Sequence, residues 1–276
     1  MDNTAPMSPS IRTDAATFEV VKNSLYAAAE EMKIVLAKTA YSPLLKVAGD
    51  YSCGLFDADG EMIAQGPDLP IHLGSMPDAV KAVIQAFGTF VDGDVFIHND
   101  PYFGGSHLPD VNIVSPSFHQ GDLLGFACVR AHWPDVGSAT PGSYGAVTDV
   151  FGEGLRLPPV RLYAAGVLNR DVDAIIFTNV RTPDERRGDM NAQIAANRRG
   201  SARLSELAEK YGVETLRRIM AEVMDYSETM MRKFPLGAAR WRRPFRGLLR
   251  WRWDSGAGRD GRRNLHDPHA CGEVRR

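Results

Sequence analysis

Cysteine is scarce: the 276 residues hold three, Cys53, Cys128 and Cys271, with no Cys-x-x-Cys pair. That excludes a disulfide framework and a cysteine-built zinc site, and it fits a reducing compartment. Long apolar runs are missing as well. Nothing approaches the roughly 18 residues of a membrane span, and the N-terminus lacks the basic segment and apolar core of a secretory leader. A cytoplasmic protein without membrane attachment is the expectation. Gly-x-Gly-x-x-Gly and Gly-x-x-x-x-Gly-Lys-Ser/Thr are absent, so no resident nucleotide loop of those types is expected. Ser143 in "PGSYG" is not in a Gly-x-Ser-x-Gly elbow, which argues against a serine hydrolase. Cys53 and Cys128 sit in apolar strand patterns that favour inert core thiols over nucleophiles. Excess charge is lacking too, and a net charge of -2 suggests no nucleic-acid partner.

That near-neutral balance hides an asymmetry. Residues 1–234 carry 21 Lys+Arg against 30 Asp+Glu, whereas residues 235–276 carry 11 arginines, no lysine, 4 acidic residues and three of the four tryptophans. The organisation expected is a flexible N-terminus over 1–12, a folded body over 13–234 and a basic Arg/Trp-rich tail over 235–276. The tail shows no sustained period and reads as disordered or aberrant sequence.

Within the body, Phe18, Val21, Leu25, Ala28, Ala29, Met32, Val35 and Leu36 recur at three- and four-residue intervals and predict an amphipathic helix, with Thr13 as N-cap and Pro43 as its stop. "YSCGLFDADGEMIAQ" predicts a hairpin turning at Asp59-Gly60. Ser75 is placed to cap a helix over Pro77 to Phe87, and "DVFIHND" is a short strand. "VNIVSPSF" and "LLGFACVR" predict two strands turning at Gln120-Gly121, with Pro116 marking an edge or a bulge. "GEGLRLPPVRLY" suggests a strand followed by a loop. From Asp189 to Phe234 helical spacing returns, with breaks expected near Gly200 and Gly212. The fold class is α/β in the mixed α+β sense: layered sheets with hairpins, an N-terminal helix and a helical C-terminal part.

The chemistry concentrates in "NDPYFGGSHLPDV", residues 99–111, whose His-x-Pro-Asp spelling returns in "HWPD" at His132 to Asp135. Proline before each aspartate excludes a continuing helix, so both phrases belong to loops or strand ends. A two-residue turn at Gln120-Gly121 pairs residues whose numbers sum to 241, placing Pro109 opposite His132 and Val111 opposite Arg130. His107, Asp110 and His132 then converge at the open end of the hairpin. Two imidazoles and a carboxylate with positions left open suit zinc, manganese or iron, with water or substrate completing the shell. Asp135, with Asp100 and Asn99 behind it, is the first choice to orient ligands or accept a proton. Gly104-Gly105 shapes a turn or a close approach, while His72 and His98 read as local structure.

These phrases, together with "IHLGSMPDAV", "AHWPDVGSATPGS" and "NVRTPDERRGDMNAQIAANRRGSARLSEL", resemble the hydantoinase B/oxoprolinase family in collinear order from about Phe18 to about Phe234. The resemblance implies a subunit of an enzyme that hydrolyses cyclic amides such as hydantoins or 5-oxoproline. It further implies that ATP enters through a hydantoinase A-like partner subunit that phosphorylates a carbonyl-derived oxygen. The alternative within the same resemblance is a ketone carboxylase subunit of the acetone carboxylase type. In that branch two histidines and an aspartate of the matching motif hold manganese, which carries over to His107, Asp110 and His132. Asp135 would then take a proton and Arg181 of "NVRTP" would steady developing negative charge. Relatives continue well past the point where the Arg/Trp tail begins, so a C-terminally truncated relative is expected, and an inactive fragment is the remaining reading.

Overall fold

The computed structural model describes residues 13–143, 145 and 147–238. The N-terminal segment and the tail from residue 239 onwards lie outside the described residues. Helix α1 (Ala15–Thr39) buries Val21, Leu25, Ala28, Ala29, Met32 and Leu36, the stripe its spacing predicts. Its N-cap is Asp14, one residue beyond the expected Thr13, because the Asp14 carboxylate accepts from Thr17 N at 2.9 Å. The helix stops at Thr39, before Pro43, and a π-helical turn over Leu44–Ala48 leads into the sheet.

Seven strands follow: β1 (Tyr51–Phe56), β2 (Met62–Gln65), β3 (Val95–His98), β4 (Asp110–His119), β5 (Asp122–His132), β6 (Val160–Ala164) and β7 (Val167–Leu168). They form one antiparallel sheet in the order β2-β1-β5-β4-β3-β6-β7. Helices α2 (Pro70–Leu73) and α3 (Met76–Phe87) lie between β2 and β3 in sequence, and α4 (Arg170–Thr178), α5 (Pro183–Tyr211) and α6 (Val213–Ala238) follow β7. The "GEGLRLPPVRLY" segment is therefore loop first and strand second, the reverse of the expectation. Ser75 occupies the cap position of α3 without a capping bond. Its hydroxyl instead accepts from Arg130.

Both sheet faces are covered, which is why β1 is buried along its whole length. Val111, Ile113, Val129 and Ala131 pack beneath α1, α4 and α5. Phe96, Val114, Phe126 and Cys128 pack against Met76, Val80 and Val83 of α3. Helix α5 joins its neighbours through two stripes at four-residue spacing. Gly188, Ala192, Ala196 and Gly200 form the small stripe, and at Gly200 α1 comes so close that a Cβ would lie 2.5 Å from Met32 Sδ. The second stripe is polar. Gln193 Nε2 donates to Val111 O at 3.0 Å, Asn197 Nδ2 to Ile113 O at 2.9 Å, and Ser201 and Ser205 meet Ser117 and His119 of β4. Gly200 thus serves close packing and does not break the helix, which runs on to Gly212, where φ is +85°.

The β4–β5 register decides where the site forms. Near the turn the pairs sum to 241, as expected: His119 opposite Asp122 and Phe118 opposite Leu123. Between Ser117 and Phe118 the register shifts, leaving Leu124 as an extra residue, and from there Ser117 pairs with Gly125 and Asp110 with His132. The expected Pro109–His132 pairing is thereby corrected by one residue. Since side chains alternate across a strand, the bulge puts Asp110 and His132 directly opposite each other and on one face, the α2–α3 side. Pro116 precedes the bulge, past the end of β3, whose pairing reaches only Val114.

Packing divides the chain after Glu228. The first unit holds the sheet and the three apolar clusters, and the described part of the second is the end of α6. Among the described residues no helix is long and apolar enough to cross a membrane.

Candidate metal centre

The segment before β4 is held by its own polar side chains. Asn99 Nδ2 donates to Leu108 O at 2.7 Å and to Leu155 O at 2.9 Å, and Asn99 Oδ1 accepts from Leu157 N at 2.7 Å. Asp100 caps the following turn at Tyr102 N and pairs with Arg156. Gly104, at φ +76°, passes so close to α3 that a Cβ would stand 2.4 Å from the Asp78 carbonyl carbon. Asn99, Asp100 and the glycine pair therefore shape the loop that delivers His107.

Asp110 is the hub. Its Oδ1 lies 2.8 Å from His107 Nε2 and 3.2 Å from His132 Nδ1, and its Oδ2 accepts from Ser106 Oγ and lies 3.3 Å from His72 Nε2. Burial alone would raise the Asp110 pKa, but the contacts from His107, His132, His72 and Ser106 outweigh it and hold the carboxyl well below the usual range. The same partnership raises His107, against an opposing pull from burial, with Glu153 and Asp50 adding to the effect. One donor atom from each of His107, Asp110 and His132 lies within 4.8 Å of the others. The three residues anticipated from the repeated phrase are thus together, and their donor set of two imidazoles and one carboxylate fits a divalent ion of the zinc, manganese or iron class.

Asp135 and Arg181 are brought to each other. Arg181 Nη1 donates to Asp135 Oδ1 at 2.8 Å, Arg181 N donates to Asp135 Oδ2, and Gly137 N donates to Asp135 Oδ1 at 3.0 Å. Arg181 Nη2 also donates to Ser138 O at 2.7 Å. Both carboxylate oxygens are occupied by these contacts. The loop they clamp lines a cleft of about 270 Å³ that His107, Pro109, Pro134, Val136, Thr140 and Glu153 share.

Three further residues stand at the hub: Asp50, Arg130 and His72, the last of which corrects its expected reading as local structure. His72 comes from α2. Asp50, just before β1, places Oδ1 3.7 Å from His72 Nε2, and its carbonyl accepts from His132 N at 3.0 Å. Arg130 is wholly buried two residues before His132, and its guanidinium reaches Asn112 Oδ1, His72 O, Ser75 and Gly104 O. It thereby ties β4, α2 and the 99–110 loop together. No local spacing marks His72 or Asp50, because β1–β5 pairing and the seat of α2 bring them in from distant sequence, whereas Arg130 shares a face of β5 with His132.

The profile of the hydantoinase B/oxoprolinase family matches residues 14–241. The beta chain of the caprolactamase of Pseudomonas jessenii is 40% identical over 221 residues, covering 79% of this chain and 38% of that protein. The B-type component of a putative D-/L-hydantoinase from Pseudomonas sp. (strain NS671) is 40% identical over 228 residues, covering 80% of this chain and 38% of that protein. Among solved structures, the ATP-dependent caprolactamase of Pseudomonas jessenii superposes with a TM-score of 0.76 at 40% identity, covering 80% of this chain and 39% of that one. A nucleotide-free acetone carboxylase superposes with a TM-score of 0.72 at 25% identity, covering 76% of this chain and 28% of that one. The chain therefore spans under two fifths of the length of these relatives.

Proposed function

We propose, on the premise that this chain belongs to the hydantoinase B/oxoprolinase family, that it is the metal-bearing part of a cytoplasmic, ATP-dependent enzyme that hydrolyses the C–N bond of a cyclic amide. The observation that carries the reading is the grouping of His107 Nε2, Asp110 Oδ1 and His132 Nδ1 beside a cleft of small-molecule size. Bound there, a divalent ion would polarise a carbonyl or phosphoryl oxygen, or make a bound water acidic enough to ionise near neutral pH. A hydantoinase A-like partner subunit would bind ATP, a reading supported by the likeness to the beta chain of an ATP-dependent caprolactamase.

The chain's own residues contribute in separable ways. Asp110 is ionised by its surroundings and offsets cationic charge. Without a cation, His107 and His132 direct ring nitrogens at Asp110 Oδ1; a cation needs His107 as a neutral donor, and because the Asp110 carboxylate raises the proton affinity of His107, cation binding weakens as pH falls. The Asp135–Arg181 pair fixes the cleft wall. For Asp135 to accept a proton it would have to leave Arg181, so a positioning role suits both residues better than direct chemistry. Asp135→Asn is expected to leave metal affinity within about threefold of the parent while lowering stability by roughly 1–3 kcal/mol, seen in chelator competition and thermal melting.

Amide hydrolysis is favoured over ketone carboxylation because the caprolactamase likeness is at 40% identity and the acetone carboxylase likeness at 25%. Co-expression with a hydantoinase A-like subunit, followed by ATP-dependent assays on hydantoins, lactams and 5-oxoproline, tests the reading. Acetone with bicarbonate is the competing substrate pair. Metal content is measured in parallel against a His107→Ala, His132→Ala double variant, and equal metal in both proteins ends the ligand assignment.

A further inference from the structure

His72 stands at the hub without belonging to the ligand group. Its side chain is 3% exposed, and its two ring nitrogens reach in opposite directions. Nδ1 lies 3.2 Å from Ser52 Oγ, on a strand residue with no exposure, and Nε2 lies 3.3 Å from Asp110 Oδ2. Among the described residues, the donor atoms that gather within 4.8 Å come from His107, Asp110 and His132, and His72 is not among them. It meets the carboxylate on the oxygen that the other two imidazoles leave free.

The hydrogen placement follows from elementary chemistry. A lone pair on Nε2 facing a carboxylate oxygen would be repelled, so Nε2 carries the proton and donates it to Asp110 Oδ2. In the neutral ring Nδ1 is then an acceptor, and the Ser52 hydroxyl is its donor. The backbone behind the ring is fixed as well, because Arg130 Nη1 donates to His72 O at 3.3 Å. A carboxylate is otherwise free over a broad range about its terminal torsion. Here Ser106 and His72 hold one oxygen, which aims the other at His107 and His132.

We propose that His72 is a positioning residue of this centre: backed by Ser52, it holds Asp110 Oδ2 so that Oδ1 is presented to a divalent cation together with His107 Nε2 and His132 Nδ1. The inference rests on the metal reading above and adds to it a residue that touches neither cation nor substrate. Outer-shell partners of this kind are worth about 10- to 100-fold in metal affinity. A side chain that only filled space would affect folding and leave affinity alone.

The test uses the 276-residue chain as wild type, His72→Ala, His72→Gln and Ser52→Ala, each stripped with chelator. Each is titrated with Zn²⁺ and Mn²⁺ against a chromogenic chelator and melted without metal. His72→Ala is expected to bind about 10- to 100-fold more weakly. His72→Gln, whose amide returns an N–H near the Nε2 position, is expected to recover most of that loss, and Ser52→Ala to weaken binding several-fold. Unchanged affinity in His72→Ala, whatever its melting temperature, overturns the proposal, and so does an equal loss in the alanine and glutamine variants. Should His72→Ala fail to fold, Ser52→Ala decides: wild-type affinity refutes the relay and weakened affinity supports it. If wild type itself takes up neither metal, the centre fails and this inference with it, a result distinct from variants that match a metal-binding parent.

Discussion

His98 and His107 lie nine residues apart, and the fold treats them in opposite ways. His107 gains proton affinity from the Asp110 carboxylate, whereas burial beside the Arg130 guanidinium pushes His98 down to about 3. Among the described residues, neither ring nitrogen of His98 has a hydrogen-bond partner of good geometry. His98 is therefore buried neutral, while the unfolded chain protonates it near its ordinary value of 6.5. Its contribution to stability is full above pH 6.5 and is lost as pH falls from 6.5 towards 3. Between pH 7 and pH 5 the loss is roughly 2 kcal/mol, or about 4–8 °C of melting temperature for a body of this size. His98→Phe, which cannot titrate, is expected to shrink the acid-induced fall in melting temperature by that amount. An unchanged fall would show that His98 is not a source of the acid sensitivity. At this scale the sequence was informative only where residues repeat a phrase. His107, Asp110 and His132 were legible because two His-x-Pro-Asp copies flank one hairpin. His72 and Asp50 were not, since their approach to Asp110 depends on distant strands.

The hairpin that carries the site shows why elements are read more easily than their alignment. Alternation and the Gln120-Gly121 turn disclose β4 and β5, but not the extra Leu124 that moves every later pair by one. The bulge depends on a third strand: Gly125, at φ +153°, passes so close to β1 that a Cβ would lie 2.0 Å from Phe56 O. Only glycine fits that approach, and its need for the position is invisible in the β5 sequence alone. Gly125→Ala is expected to destabilise the protein by about 2–4 kcal/mol through backbone clash and strain. Because the register at the far end depends on the bulge, metal affinity should fall too, beyond what partial unfolding explains. Melting and chelator competition at a temperature where the variant is folded separate the two effects. Wild-type affinity in a folded variant would mean that other contacts set the Asp110–His132 pairing. The same limit hid Gly200, a helix breaker by propensity that stays helical because α1 needs the space.

At the scale of the whole molecule, the residues proposed for the centre and its supports run from Asp50 to Arg181, within the unit that ends at Glu228. The chain covers 38% of the caprolactamase beta chain, and the turnover proposed for it calls on a second, ATP-binding subunit. Metal binding and turnover should therefore separate. Ligand that binds only the folded state stabilises it by about 2.7 kcal/mol at one hundred times its dissociation constant. For a body of this size that corresponds to roughly 5–11 °C of melting temperature. A chain ending at Ala238 is expected to show the same metal-dependent rise as the 276-residue chain, because no residue beyond 181 is assigned to the centre. The ATP-dependent reaction proposed above, by contrast, should appear only with the proposed hydantoinase A-like subunit present. A rise that disappears when residues 239–276 are removed would mean that the centre needs ligands from outside the sheet, and the three-residue assignment would have to be enlarged.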